Sequence, residues 1–216
     1  MRIEFGVPPP GSGEVIFPIS PVSNDRNHNS PNASLRPNDC VASPMVFSGT
    51  FSLAECELIL EYGARLNLHR GRVMDAGPEC RRSEVGWLDE GPDTTWIYDK
   101  LASIFRAVNR WYQYDLVGFV EKLQFTVYNA GDEFRWHLDT GSGPTSTRKL
   151  SITVQLSDGE QYEGGQLQFC GMKPMSFSRD RGTVIVFPSF LPHRICTMTR
   201  GVRHALVAWA HGPAFR

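Results

Sequence analysis

A chain of 216 residues, 41% hydrophobic and 21% charged, has enough apolar material to bury one well-formed domain. Its formal net charge of −1 gives no general electrostatic reason to expect nucleic acid or an anionic membrane as partner, and no apolar run approaches the roughly 20 residues that span a bilayer. The five cysteines (Cys40, Cys56, Cys80, Cys170 and Cys196) are odd in number and widely spaced, with no Cys-x-x-Cys pair. This argues against a disulfide framework and a zinc–thiolate site, so a reducing cytoplasm is the default compartment. Met1-Arg2-Ile3-Glu4 is not followed by the long apolar core of a secretory signal.

Residues 1–45 differ from the rest. Eight of the fifteen prolines lie between Pro8 and Pro44, with Asn and Ser crowded through Asn24–Asn38. Proline removes backbone donors and disfavours helix, so this segment reads as an extended arm draped on the domain, or as partly disordered chain. Glu14-Val15-Ile16-Phe17 is its candidate strand. The functional alternative is an arm that covers a site mouth or mediates dimerisation. Residues 46–216 read as the domain proper.

Ser52-Leu53-Ala54-Glu55 is a capping box, in which hydroxyl and carboxylate satisfy free amides at a helix start. Leu53, Cys56, Leu60 and Ala64 then recur at helical spacing. A second helix opens near Asp93-Thr94, where Ile97, Leu101, Ile104, Phe105, Val108 and Trp111 form an apolar stripe suited to packing on a sheet. Between the helices, Arg81–Leu88 reads as a loop or short strand of mixed character. The basic groups Arg70/Arg72 and Arg81/Arg82 are expected on solvated surface.

From Phe119 onward the pattern turns to short strands. Lys122, Gln124, Thr126 and Tyr128 share one face, and Leu123, Phe125 and Val127 the other. Lys149–Leu156 alternates likewise, with Leu150, Ile152, Val154 and Leu156 opposite Ser151, Thr153 and Gln155. Gln166–Phe169, Thr183–Phe187 and Arg203–Trp209 complete the set. Many short strands after two helices imply a mainly β fold, a curled double sheet with the helices outside it. Polar faces on several strands make sense when they line a pocket.

Within Phe134–Thr140, extended backbone projects His137 and Asp139 side by side. His193, in a turn between two strand-like runs, offers a second imidazole. Two histidines and one carboxylate cover one face of an octahedral metal and leave the opposite positions open, which suits Fe(II) that activates oxygen. Ten residues after His193, Arg203 shares a face with Ala205, Val207 and Trp209; its guanidinium is a fork for a carboxylate, beside small neighbours that leave room for a slender ligand. His204 points to the opposite face and reads as packing. His211 reads as following the last strand, and neither it nor His28 or His69 reads as a preferred ligand. Trp136 and Trp209 read as core or pocket wall, and Arg200, in a Thr-Arg-Gly turn, as surface.

The segments Tyr128…His137-Leu138-Asp139, Arg148-Lys149-Leu150-Ser151, Tyr162-Glu163-Gly164-Gly165 and Phe187-Pro188…His193…Thr199-Arg200-Gly201-Val202-Arg203 resemble Fe(II)- and 2-oxoglutarate-dependent dioxygenases. The resemblance is to the prolyl 4-hydroxylase-like branch, including bacterial PKHD-type hydroxylases, and covers roughly residues 46–213. It implies a double-stranded β-helix (jelly roll), with Fe(II) held by His137, Asp139 and His193. It also implies that Arg203, helped by Tyr128, binds the distal carboxylate of 2-oxoglutarate. Where oxygen sensors of the superfamily carry a second tyrosine, this chain has Thr153 or Gln155, the candidates for the remaining cosubstrate contacts. Arg82, Trp87, Arg135 and Glu163 are candidates for the substrate mouth.

The implied reaction consumes O2 and 2-oxoglutarate, releases succinate and CO2, and hydroxylates an aliphatic C–H, with ascorbate as an accessory reductant. Related halogenases lack a carboxylate where this chain has Asp139, which favours hydroxylation. The branch implies an amino-acid residue as substrate, in a peptide or protein or free. A natural-product oxygenase of small molecules and a catalytically silent jelly-roll binding module are the alternatives.

Overall fold

The computed structural model describes residues 17–18, 42–72, 79–172 and 178–215. In chain order these form β1 (Phe17–Pro18), β2 (Met45–Phe47), α1 (Leu53–Ala64), β3 (His69–Arg70), β4 (Arg81–Arg82), β5 (Glu84–Leu88), α2 (Thr95–Tyr112) and β6 (Gly118–Phe119). There follow β7 (Leu123–Tyr128), β8 (Glu133–His137), a 3-10 turn (Gly143–Thr147), β9 (Arg148–Gln155), β10 (Leu167–Phe169), β11 (Val184–Pro188), β12 (His193–Ile195) and β13 (Arg203–His211). Most of the expected arm lies outside the described residues, as do Glu14–Ile16 of its candidate strand. Phe17, the last residue of that candidate, pairs with Phe119 of β6.

Two antiparallel sheets face each other in a double-stranded β-helix. The major sheet runs β2-β11-β9-β13-β7-β5-β3, with β6 joining β13 and β1 joining β6; the minor sheet runs β10-β12-β8-β4. Period-2 alternation divides the major sheet's side chains between two environments. Leu123, Phe125 and Val127 of β7, Leu150, Ile152 and Val154 of β9, and Leu206, Ala208 and Ala210 of β13 pack against the helices in the main core. The opposite face meets the minor sheet around a second cluster that includes Tyr162, Leu167, Phe169, Phe187 and Ile195.

The helices cover the outer face of the major sheet. Ser52 caps α1 with the expected capping box, and Glu55 also accepts from Lys100 Nζ of α2 at 2.6 Å. The buried stripe of α1 is Cys56, Ile59 and Gly63. Leu53, expected on that stripe, sits at the helix start and is 65% exposed. In α2 the stripe is Ile97, Tyr98, Leu101, Ala102, Phe105, Val108 and Tyr112. A 3.6-residue repeat carries the face from Val108 to Tyr112, so Trp111 is turned outward, contrary to the expected pattern. Tyr112 donates its hydroxyl hydrogen to Ser43 O at 2.6 Å, which ties the chain before β2 to α2. Among the described residues, no helix is long and apolar enough to cross a membrane.

Candidate active site

Between the sheets lies a cavity of about 740 Å³. His137 ends β8 and His193 begins β12, and antiparallel pairing makes them direct partners, with ring centroids 4.1 Å apart. Asp139 follows two residues after His137, where its N–H and that of Thr140 both donate to Ser189 O, at 3.0 and 3.1 Å. One ligand atom from each of His137, Asp139 and His193 lies within 4.8 Å of the others.

The hydrogen bonds around the imidazoles determine their tautomers. His137 Nδ1 stands 2.7 Å from Arg135 O, and His193 Nδ1 stands 2.9 Å from Leu191 O. A carbonyl only accepts, so each Nδ1 carries the hydrogen, and in the neutral ring it is Nε2 that keeps the lone pair. Those Nε2 atoms are 3.7 and 3.6 Å from Asp139 Oδ1 and Oδ2, too far for good hydrogen bonds. Three lone-pair donors that converge without bonding one another fit a divalent cation between them.

Electrostatics favours the same protonation state. Burial, and then His193, push His137 down to about 3. Burial works to raise the Asp139 carboxyl, but His193, His137 and Arg148 outweigh it and hold it at about 2. At neutral pH the pair is therefore a neutral imidazole and a carboxylate.

Asp139 is held from behind. Ser151 donates to Asp139 Oδ2 at 2.6 Å, so the 3.0 Å contact between the Ser151 and Ser189 hydroxyls has Ser189 as donor. Arg148 Nη1 donates to Asp139 O at 3.1 Å, its guanidinium lies over Trp209 at 3.8 Å, and its other nitrogens pair with the fully buried Glu121. His211 Nε2 stands 3.1 Å from Glu121 Oε1, although not aligned for a hydrogen bond. His211 is the last residue of β13 and buried there, not beyond the strand as expected.

Arg203 lines the same cavity and is 1% exposed. Its Nη2 donates to Gln155 Oε1 at 2.8 Å, its guanidinium lies 5.5 Å from the Tyr128 ring centroid, and its buried Nε has no partner. Among the described residues no carboxylate pairs with it. The Tyr-Glu-Gly-Gly run explains how the chain passes so close: Gly165 has φ +66°, and a Cβ there would stand 3.1 Å from Arg203 Cδ and 2.4 Å from Met198 Sδ. A buried cationic fork left partly unsatisfied fits a carboxylate of the ligand.

The other expected residues divide. Tyr128, Thr153 and Trp87 line the cavity. Gln155 does not; it holds Arg203 in place. Arg82 and Arg135 instead reach Glu133 on the minor sheet, and Glu163 pairs with Arg200 on the surface, so these three lie outside the cavity wall. Trp209 is pocket wall, whereas Trp136 is 44% exposed beneath the Arg194 guanidinium. His204 packs on Phe125 and meets Ser157.

Sequence reasoning missed Arg81. Expected on solvated surface, it is buried and lines the cavity. The available signal was alternation: Arg81, Val85 and Trp87, at odd positions of one extended run, all face the cavity.

A jelly roll whose paired strands converge two imidazoles and a carboxylate on a cavity, with a buried arginine in its wall, has a donor set that could hold a single metal ion with an open coordination face. Residues 123–211 match the family model of the 2OG-Fe(II) oxygenase superfamily. It is similar to a PKHD-type hydroxylase of Synechococcus sp. (strain CC9605), 34% identical over 98 residues that make up 44% of each chain. The chain thus spans less than half the length of the curated relatives it matches. A prolyl-4-hydroxylase from Pseudomonas putida shares the fold with a TM-score of 0.67 at 19% identity, over 81% of this chain and 95% of that one. So does a prolyl hydroxylase from Trichoplax adhaerens, in complex with a hypoxia inducible factor peptide fragment, with a TM-score of 0.63 at 15% identity over 78% and 83%.

Proposed function

We propose that the chain is a hydroxylase that couples the oxidative decarboxylation of 2-oxoglutarate to hydroxylation of an aliphatic C–H in an amino acid, free or as a residue of a peptide or protein. One oxygen atom of O2 goes into succinate, formed with CO2, and the other into the product alcohol. The observation that carries this reading is the convergence of His137, Asp139 and His193 in one cavity with the partly unsatisfied Arg203. Fe(II) bound there supplies O2 activation.

The chain's own residues prepare that chemistry. His137 and His193 present Nε2 lone pairs because backbone carbonyls hold their Nδ1 hydrogens. Asp139 supplies the negative charge, oriented by Ser151. Arg203, fixed by Gln155 and flanked by Tyr128, takes the distal carboxylate of 2-oxoglutarate. Val85, Leu167, Phe187 and Ile195 give the cavity an apolar lining, whose low local dielectric strengthens each of these electrostatic contacts. The PKHD-type relative and the prolyl hydroxylase neighbours support an amino-acid residue as substrate.

The test is succinate production by protein supplied with Fe(II) and 2-oxoglutarate in air, with metal binding measured separately by equilibrium dialysis. Wild-type protein is expected to bind one metal ion and turn over, with Asp139→Ala and His193→Ala deficient in both. Undiminished metal binding by those variants would overturn the assignment, and wild-type protein that binds no metal would leave the jelly roll as a binding module.

A further inference from the structure

The cavity holds a second buried arginine that the metal and 2-oxoglutarate do not use. We infer that Arg81 binds a free carboxylate on the substrate, so that the substrate is a small aliphatic amino acid, free or N-acylated, and not a residue inside a peptide chain. This rests on the reading of the site as a 2-oxoglutarate-dependent hydroxylase and adds the substrate class to it.

Strand β4 sorts its two arginines by alternation. Arg82 turns outward and finds Glu133 at 3.1 Å. Arg81 turns inward, is 7% exposed and lines the cavity. Its guanidinium is built in: Nε donates to Ser83 Oγ at 2.7 Å, Nη2 donates to Gln124 Oε1 at 2.9 Å, and the plane lies 4.7 Å from the Phe134 ring centroid. Room for it depends on Gly71, where a Cβ would stand 2.8 Å from Arg81 Nε. Every one of these partners is neutral, and among the described residues no carboxylate pairs with Arg81. A buried cation without a counter-ion is costly to fold.

The charges lining the cavity reinforce the point. Among the described residues lining it, Arg72, Arg81, Arg148 and Arg203 stand against Asp139 as the one carboxylate. Arg148 is neutralised by Glu121, and Asp139 faces the metal position. The indole N–H groups of Trp87 and Trp209, two further wall residues, also lack acceptors among the described residues. The wall thus has donors and positive charge to spare after one dicarboxylate is bound. Its volume of about 740 Å³ is that of a small-molecule site.

The experiment is calorimetric titration of protein loaded with Mn(II) and 2-oxoglutarate, using free and N-acetylated aliphatic amino acids against their carboxamides. At least one acid is expected to bind about tenfold or more tightly than its amide, as a charge-assisted contact requires. Arg81→Gln should abolish that preference while moving 2-oxoglutarate affinity less than about threefold. Gly71→Ala, which displaces the guanidinium without changing any charge, should do the same. The wild-type comparison decides the matter even if a variant does not fold: no acid preferred over its amide overturns the inference. An acid preference that survives Arg81→Gln, or a loss of 2-oxoglutarate binding larger in Arg81→Gln than in Arg203→Gln, also overturns it. With Arg203→Gln still losing 2-oxoglutarate, the hydroxylase reading stands; failure of wild-type protein to bind metal or 2-oxoglutarate removes both.

Discussion

Arg203 and Arg200 stand three residues apart and differ in everything that governs what they do. Arg203 is enclosed, with a free Nε and Gln155 as its neutral partner, whereas Arg200 pairs with Glu163 where both side chains are mostly solvated. Replacing Arg203 by Gln is expected to weaken 2-oxoglutarate binding by on the order of 2–5 kcal/mol, because a buried carboxylate then loses a charge-assisted contact. Arg200→Ala should change it little, since exposed pairs contribute about 0–1 kcal/mol. Titration of metal-loaded protein with 2-oxoglutarate checks both, and the reverse ranking would refute the placement of the cosubstrate. A second residue-scale expectation concerns His204, whose protonation is suppressed first by burial and then by Arg181 and Arg203. The folded protein resists this proton and the unfolded chain does not, so the unfolded state binds more protons below the ordinary value of 6.5. The contribution is present above that pH and lost as pH falls below it. His204→Gln should accordingly flatten the pH dependence of the unfolding midpoint of metal-free protein between about pH 7 and 5; an unchanged slope would contradict it.

At the scale of elements, α1 is joined to the sheet at Gly63. A Cβ there would meet the Phe125 ring at 2.3 Å, so this helix lies closer to β7 than any side chain at 63 permits. Gly63→Ala should therefore destabilise the protein by about 1–3 kcal/mol in urea unfolding, despite alanine's better helix propensity. Stabilisation instead would show that the helix shifts freely. Ser52→Ala should cost about 1 kcal/mol through loss of the capping box. These are stability effects; β7 carries Phe125 on one face and Gln124 and Thr126 of the cavity on the other, so a displaced α1 also disturbs the site.

For the whole molecule, every proposed metal ligand, Arg203 and both helices lie after residue 45. A chain beginning at Ser43 keeps the acceptor for Tyr112 and all of β2. We expect it to fold cooperatively and to bind metal and 2-oxoglutarate, having lost from the described pairings the two-residue β1 alone. Thermal unfolding with and without Mn(II) and 2-oxoglutarate checks this, since ligands that bind the native state raise the midpoint. Insoluble truncated protein would make residues 1–42 part of the domain.

Local periodicity by itself determined a good deal. The capping box at Ser52, the two faces of β7 and β9, and the placement of Arg203 and His204 on opposite faces of one strand all follow from 3.6- and 2-residue repeats. His137 and Asp139, two residues apart, were legible for the same reason. What only the tertiary structure decided depends on partners remote in sequence. The pairing of β12 with β8 sets His193 directly against His137. Gln155 becomes a support for Arg203, and the Glu121–Arg148 pair a backing for Asp139, because strands distant in sequence lie side by side. Arg81 is the sharpest case. Its neighbour Arg82 has the same side chain and reaches a carboxylate, and which of the two was buried depended on which face of β4 met the major sheet. Alternation says that adjacent residues differ; it does not say which one faces inward until the second sheet is in place.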